Sequence, residues 1–137
     1  MSENQRPKNF PKIICLCGST RFTEEMLIKQ WEFTKRGSIV LSWCALPDAY
    51  FDNFPEEDNA HVGDRECVKE LVDEIHKRKI DLADEVFILN VGGYVGSSTR
   101  SEIKYAIEHE KPIRWLEPDS ADAILRSLES LPERRKE

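Results

Sequence analysis

The sequence predicts an α/β domain: a three-layer sandwich whose parallel sheet holds four to five strands. Two observations carry this. The strand-like runs are solidly apolar instead of alternating, as expected of strands covered by helices on both faces. Strand and helix patterns also alternate along the chain, which right-handed crossovers turn into a parallel sheet. The length of 137 residues suits one domain with a single core.

Residues 1–11 read as a flexible polar tail, 12–131 as the domain and 132–137 as a charged tail. Lys12–Cys17 is the first strand. Thr20 to about Arg36 is a helix, with Phe22, Met26, Leu27, Trp31 and Phe33 near one side and Gly37 as its stop. Ser38–Trp43 is the second strand. Cys44–Val62 is irregular, and a fifth strand near Ala45–Tyr50 is opposed by its prolines. Gly63–Ala83 returns to helical periodicity through Val68, Leu71, Val72, Ile75 and Ile80. Glu85–Val91 is the third strand, Thr99–Glu110 a helix with Ile103, Ala106 and Ile107 inward, and Pro112–Leu116 the fourth strand. Ser120–Leu131 is a final helix carrying Ala123, Ile124, Leu125 and Leu128.

With 39% hydrophobic and 34% charged residues, the composition is that of a soluble globular protein. A formal charge of −6 opposes general affinity for nucleic acid polymers or anionic membranes. No apolar run would span a bilayer, and residues 1–11 lack the apolar segment of a secretory signal, so a cytoplasmic location is expected. Cys15, Cys17, Cys44 and Cys67 show neither a CxxC pair nor zinc-finger spacing. Reduced thiols packed as small hydrophobes are the expectation, with no metal and no cofactor.

Two glycine-and-hydroxyl loops carry the functional signal: Cys17-Gly18-Ser19-Thr20-Arg21, and Gly92-Gly93-Tyr94-Val95-Gly96-Ser97-Ser98-Thr99. Small residues let backbone amides approach a ligand, and helix starts direct unpaired N–H groups at anions. In an open parallel sheet ligands bind beyond the carboxyl ends of strands where strand order reverses, which places both loops at one crevice. Neither loop is a P-loop or a dinucleotide fingerprint. Ser19 or Thr20 reads as a phosphate ligand or a helix cap, and Arg21 as a phosphate cation or a solvated side chain. Glu102 reads two ways as well. Thr99 to Glu102 fits a capping box, while the bearing of Glu102 beside inward Ala106 suits a carboxylate acting at an anomeric carbon. Asp81, Asp84, Asp48, Asp52 and Asp58 are candidate sugar ligands or plain turn acids. Trp43, Tyr50, Phe51 and Phe54 are candidate base-stacking rings or core cover. His61, His76 and His109 lack a nucleophile elbow.

Ile14-Cys15-Leu16-Cys17-Gly18-Ser19-Thr20-Arg21, Ala83 to Val91, and Gly96 through Glu102-Ile103-Lys104-Tyr105-Ala106 with Lys111-Pro112-Ile113 resemble the nucleoside 2-deoxyribosyltransferase-like superfamily. The likeness runs from Lys12 to Leu116. It implies a flavodoxin-like, Rossmann-like sheet and makes Glu102 a nucleophile toward C1′ of a nucleotide. The Cys17-Gly18-Ser19 opening with Arg21 looks most like the branch that hydrolyses nucleoside 5′-monophosphates, which implies phosphate held by Gly18, Ser19, Thr20, Arg21, Gly96, Ser97 and Ser98. Asp84 or Asp81 would orient the ribose or the glutamate. The sequence departs from that family at Cys15, where a tyrosine is usual, and in the helix before the third strand, where the nearest equivalents of its aspartate are Asp73, His76 and Asp81. Residues 92–102 are also similar to the Gly-Gly-x-Gly-Thr-x-x-Glu signature of cytokinin-activating phosphoribohydrolases. Both resemblances imply N-glycosidic chemistry on a nucleotide by a homodimer or larger, with Tyr94, Trp115 and the helix before the third strand as interface candidates. The rival expectation is a nucleotide or nucleotide-sugar sensor without turnover.

Overall fold

A computed structural model describes residues 6–51 and 68–130. Four parallel strands form one sheet: β1 (Ile13–Gly18), β2 (Ile39–Leu41), β3 (Glu85–Leu89) and β4 (Ile113–Trp115), in the order β2-β1-β3-β4. The helices are α1 (Thr23–Lys35), the single-turn α2 (Asp48–Phe51), α3 (Lys69–Leu82), α4 (Ser97–Glu108) and α5 (Ala121–Ser130). This is the three-layer α/β architecture the apolar runs predict. No helix among the described residues is long and apolar enough to cross a membrane.

The two faces of the sheet follow the two-residue period of a strand. Ile14 and Leu16 of β1 and Phe87 and Leu89 of β3 pack on Met26 and Phe33 of α1. Cys15, Cys17, Val86 and Ile88 point the other way, onto Ile80 of α3, Ile103 and Ala106 of α4, and Ile124 and Leu128 of α5. Every residue of β3 is buried. Strand order reverses between β1 and β3, because β2 lies beyond one and β4 beyond the other. The switch point therefore falls where the alternation of elements predicts it.

Gly37 ends α1 as expected. It adopts a left-handed φ of 99°, and the amides of Gly37 and Ser38 donate to Thr34 and Phe33 carbonyls at 2.9 and 3.0 Å. That is a Schellman stop, which glycine adopts without steric penalty.

Several expectations are corrected. A 3₁₀ turn over Thr20–Phe22 precedes α1, which starts at Thr23. No strand forms at Ala45–Tyr50; Asp48–Phe51 is instead a helical turn after Pro47. α4 starts at Ser97, two residues before the predicted start, with Gly96 as its N-cap. Leu27 and Trp31 of α1 are exposed, as are Leu71, Val72 and Ile75 of α3 and Ile107 of α4. Helical periodicity marked these apolar positions, yet the sheet receives only a narrow stripe of each helix. The predicted helix start at 63–67, with Cys67, Asp52, Phe54, Asp58 and His61, lies outside the described residues.

Candidate functional site

Glu102 sits one full turn inside α4, since the helix begins at Ser97. It is thus too far from the N-cap for the capping box, whose glutamate occupies the third helical position. Instead its side chain turns toward the sheet and α3, and the residue is only 8% exposed. His76 of α3, itself buried, brings Nε2 to 3.9 Å from Glu102 Oε1. The same nitrogen lies 3.4 Å from Cys17 Sγ and 3.7 Å from Cys15 Sγ. Strand periodicity aims both thiols at one face, and α3 crosses that face with His76 inward.

These four groups set one another's protonation. Burial, which penalises a bare carboxylate, raises Glu102 to about 7 against the pull of His76. The hydrogen bond with Cys17 is the main influence that holds Cys15 low, at about 6. Its counterpart Cys17 is pushed well up by that same bond, by burial and by the charge of Glu102. Burial works against the charged form of His76, but the Cys15 hydrogen bond and the Glu102 charge outweigh it and raise its pKa.

Outward from Glu102, a small cleft is lined by Asp73 and Lys77 of α3 and Ser98, Ser101 and Glu102 of α4. Lys69 Nζ spans its rim, donating to Ser98 Oγ and Asp73 Oδ2 at 3.1 Å each. Cations, hydroxyls and an acid thus meet where α3 passes the start of α4. Lys69, Lys77 and Ser101 carry no motif signal; only the inter-helix packing reveals them.

The two glycine loops do converge. Arg21 stacks over the Tyr94 ring, its guanidinium carbon 4.1 Å from the centroid, and donates to the Tyr94 hydroxyl at 3.3 Å. Phe22 meets the same ring edge-on. Within the loops, however, several candidates carry structural duties. Ser19 Oγ accepts from the Arg21 amide at 3.2 Å and caps the 3₁₀ turn, and the Thr20 carbonyl accepts from the Thr23 hydroxyl. A Cβ on Gly18 would stand 3.1 Å from Leu89 Cβ and from the Trp43 ring, so this glycine makes room for packing. The indole N–H of Trp43 donates to Thr23 at 3.0 Å. Gly92 and Gly93 take left-handed φ values of 63° and 80°. Their amides are spent on Glu117 and on the Asn90 carbonyl. The part of the second loop left for a ligand therefore contracts to Gly96, Ser97 and Ser98, of which Ser98 reaches the cleft and Ser97 is exposed.

Asp84 and Asp81 are not brought to Glu102. Asp84 sits at the amino end of β3, accepting from Ile13 N–H at 2.8 Å and from Arg6 at 3.0 Å. Burial alone would raise its pKa, but those two donors hold it low. Asp81 accepts from the Tyr105 hydroxyl at 2.7 Å and pairs with Arg78 at 2.9 Å, nearer the far end of α4. The acid that shares the cleft with Glu102 is Asp73.

Comparison with protein-family models, curated proteins and solved structures finds no match.

Proposed function

We propose that the protein hydrolyses or transfers at the N-glycosidic bond of a nucleoside 5′-monophosphate, with Glu102 as nucleophile. The observation that carries this reading is a buried glutamate at the carboxyl end of the sheet, opening on a cleft of hydroxyls and lysines. In the proposed reaction Oε of the ionised Glu102 bonds to C1′, and the C1′–N bond breaks with its electron pair leaving on the base. Water or a second base then displaces the glutamate. A carboxylate suffices for displacement through an oxocarbenium-like state. A pKa of about 7 leaves roughly half of Glu102 ionised at neutral pH.

Lys69, Lys77 and Ser98 supply charge and hydrogen bonds for a phosphate, and Asp73 is positioned for a sugar hydroxyl. The cleft is far smaller than the ~300–1,000 Å³ of full ligand pockets, so most of a nucleotide would lie outside it, over its mouth. Arg21, held on Tyr94, ties the two glycine loops together. The exposed apolar face of α3, with Leu71, Val72, Ile75 and Leu82, supports a homo-oligomer.

Incubation with a panel of nucleoside monophosphates, with free base measured by chromatography, tests the reading. Wild type is expected to release base and Glu102→Gln to lose that activity. Equal release by both would remove Glu102 from the reaction. Nucleotide binding by calorimetry with no base release would select the sensor instead.

A further inference from the structure

Cys15, Cys17 and His76 form a buried cluster that the nucleotide chemistry leaves unused. Their ligating atoms, two Sγ and Nε2, all lie within 4.8 Å of one another. Sulfur–nitrogen separations of 3.4 and 3.7 Å are informative here. Zn–S and Zn–N bonds of about 2.3 and 2.0–2.1 Å at tetrahedral angles require a sulfur–nitrogen edge of roughly 3.5 Å. The ligands also come from rigid elements, two from one face of β1 and one from the middle of α3. Glu102 adds a carboxylate oxygen 3.9 Å from His76 Nε2, on the side that opens to the cleft. An ion therefore has both a fourth position and a way in.

We propose that Cys15, Cys17 and His76 bind a thiophilic divalent ion of the zinc class, with Glu102 facing the fourth coordination position. The thiols enter as thiolates, so binding releases their protons to solvent, and the imidazole ligates through Nε2 in its neutral form. Soft sulfur donors select zinc over magnesium or calcium. The two thiolates balance the charge of the ion, which lowers the cost of burying it. Metal binding does not require Glu102 to be a nucleophile, although an ion here would face the same carboxylate that the proposed function uses.

The full chain is purified, stripped with chelator and titrated with zinc(II) and cobalt(II), and retained metal is measured after gel filtration. One zinc per chain and a thiolate-to-cobalt charge-transfer band are expected. Both should persist in the Cys44→Ser/Cys67→Ser double variant, which keeps all three proposed ligands. Both should vanish in Cys17→Ser, with Cys15→Ser and His76→Gln as further variants should that one fail to fold. A melting temperature several degrees higher with zinc than without is expected of wild type, since an ion bound only by the folded state stabilises it. No retained metal, or a charge-transfer band that disappears when Cys44 and Cys67 are replaced, overturns the proposal and leaves only a thiol–imidazole hydrogen-bond cluster. Because metal retention and absorption are the readouts, the result stands whether or not the protein releases base.

Discussion

Two glutamates lie at opposite ends of the same sheet and are almost equally buried, Glu85 at 6% exposure and Glu102 at 8%. Glu85, at the amino end of β3, is clasped by Lys12 at 3.0 Å and Arg114 at 2.6 Å. Among the described residues Glu102 pairs with no lysine or arginine; its neighbours are an imidazole and two thiols. The amino end also holds Asp84 on Arg6, and Lys111 on the Ala83 and Asp81 carbonyls. One end of the sheet is thus knitted by satisfied charges, and the other keeps a buried acid whose proton is easily moved. The lesson is that burial alone does not mark a functional carboxylate. A buried carboxylate without a strong cation is the better candidate, because its charged state stays costly until a ligand or ion compensates it.

The largest expected effect breaks the contrast at Glu102. In metal-free protein, Glu102→Gln abolishes base release, as loss of a covalent nucleophile does, while Glu85→Gln leaves it intact. Wild-type turnover rises with pH through about 7 as the nucleophile ionises, and a pH–rate profile lacking that limb would contradict the assignment.

Stability gives the next test. The folded pKa of Glu102, about 7, exceeds its ordinary 4.5. Its contribution is therefore complete below 4.5 and is lost as pH rises through 7. At 1.36 kcal/mol per pH unit the loss is on the order of 3 kcal/mol. The difference in unfolding free energy between wild type and Glu102→Gln, both metal-free, should shift by that order between pH 4 and 8. A difference independent of pH would show that the carboxyl is not desolvated.

Gly18→Ala is expected to destabilise by about 1–3 kcal/mol, as overpacking does, because its Cβ would press on Leu89 and Trp43. Denaturant melts measure this, and unchanged stability would mean that the β1 end has room to spare. The smallest effect belongs to the charged end. Asp84→Asn costs about 1 kcal/mol, the loss of charge-assisted hydrogen bonds to Ile13 and Arg6, and leaves base release unchanged. Because the folded pKa of Asp84 lies below 3.8, that difference is present above 3.8 and fades as pH falls beneath it. Impaired turnover in this variant would return Asp84 to the reaction.

Much of the architecture was legible in the chain. Ile14 to Cys17 and Val86 to Leu89 read as doubly buried strands because both faces are apolar, and Gly37 read as a stop because the left-handed region is open to it. Glu102 also stood out, by its place after a glycine–serine loop. What misled was local resemblance. Thr99-Arg100-Ser101-Glu102 looks like a capping box, but Gly96 caps earlier and moves Glu102 a turn inward. Asp84 and Asp81 stand near β3 in sequence, yet a parallel strand carries its two ends apart, and both acids stay away from Glu102.

By itself, then, the sequence determined the parallel sheet, the place where strand order reverses and the acid beside that place. Those are consequences of hydrophobic period and backbone preference, which neighbours in the chain establish. Only the tertiary structure decided that His76 meets Cys17, 59 residues distant, and that Lys69 meets Ser98. It also decided that Asp73, and neither Asp81 nor Asp84, shares the cleft. Such meetings depend on how α3 rotates against β1 and α4, and that rotation is chosen by the packing of Ile80, Ile103 and Ala106 against the sheet. No local pattern encodes it.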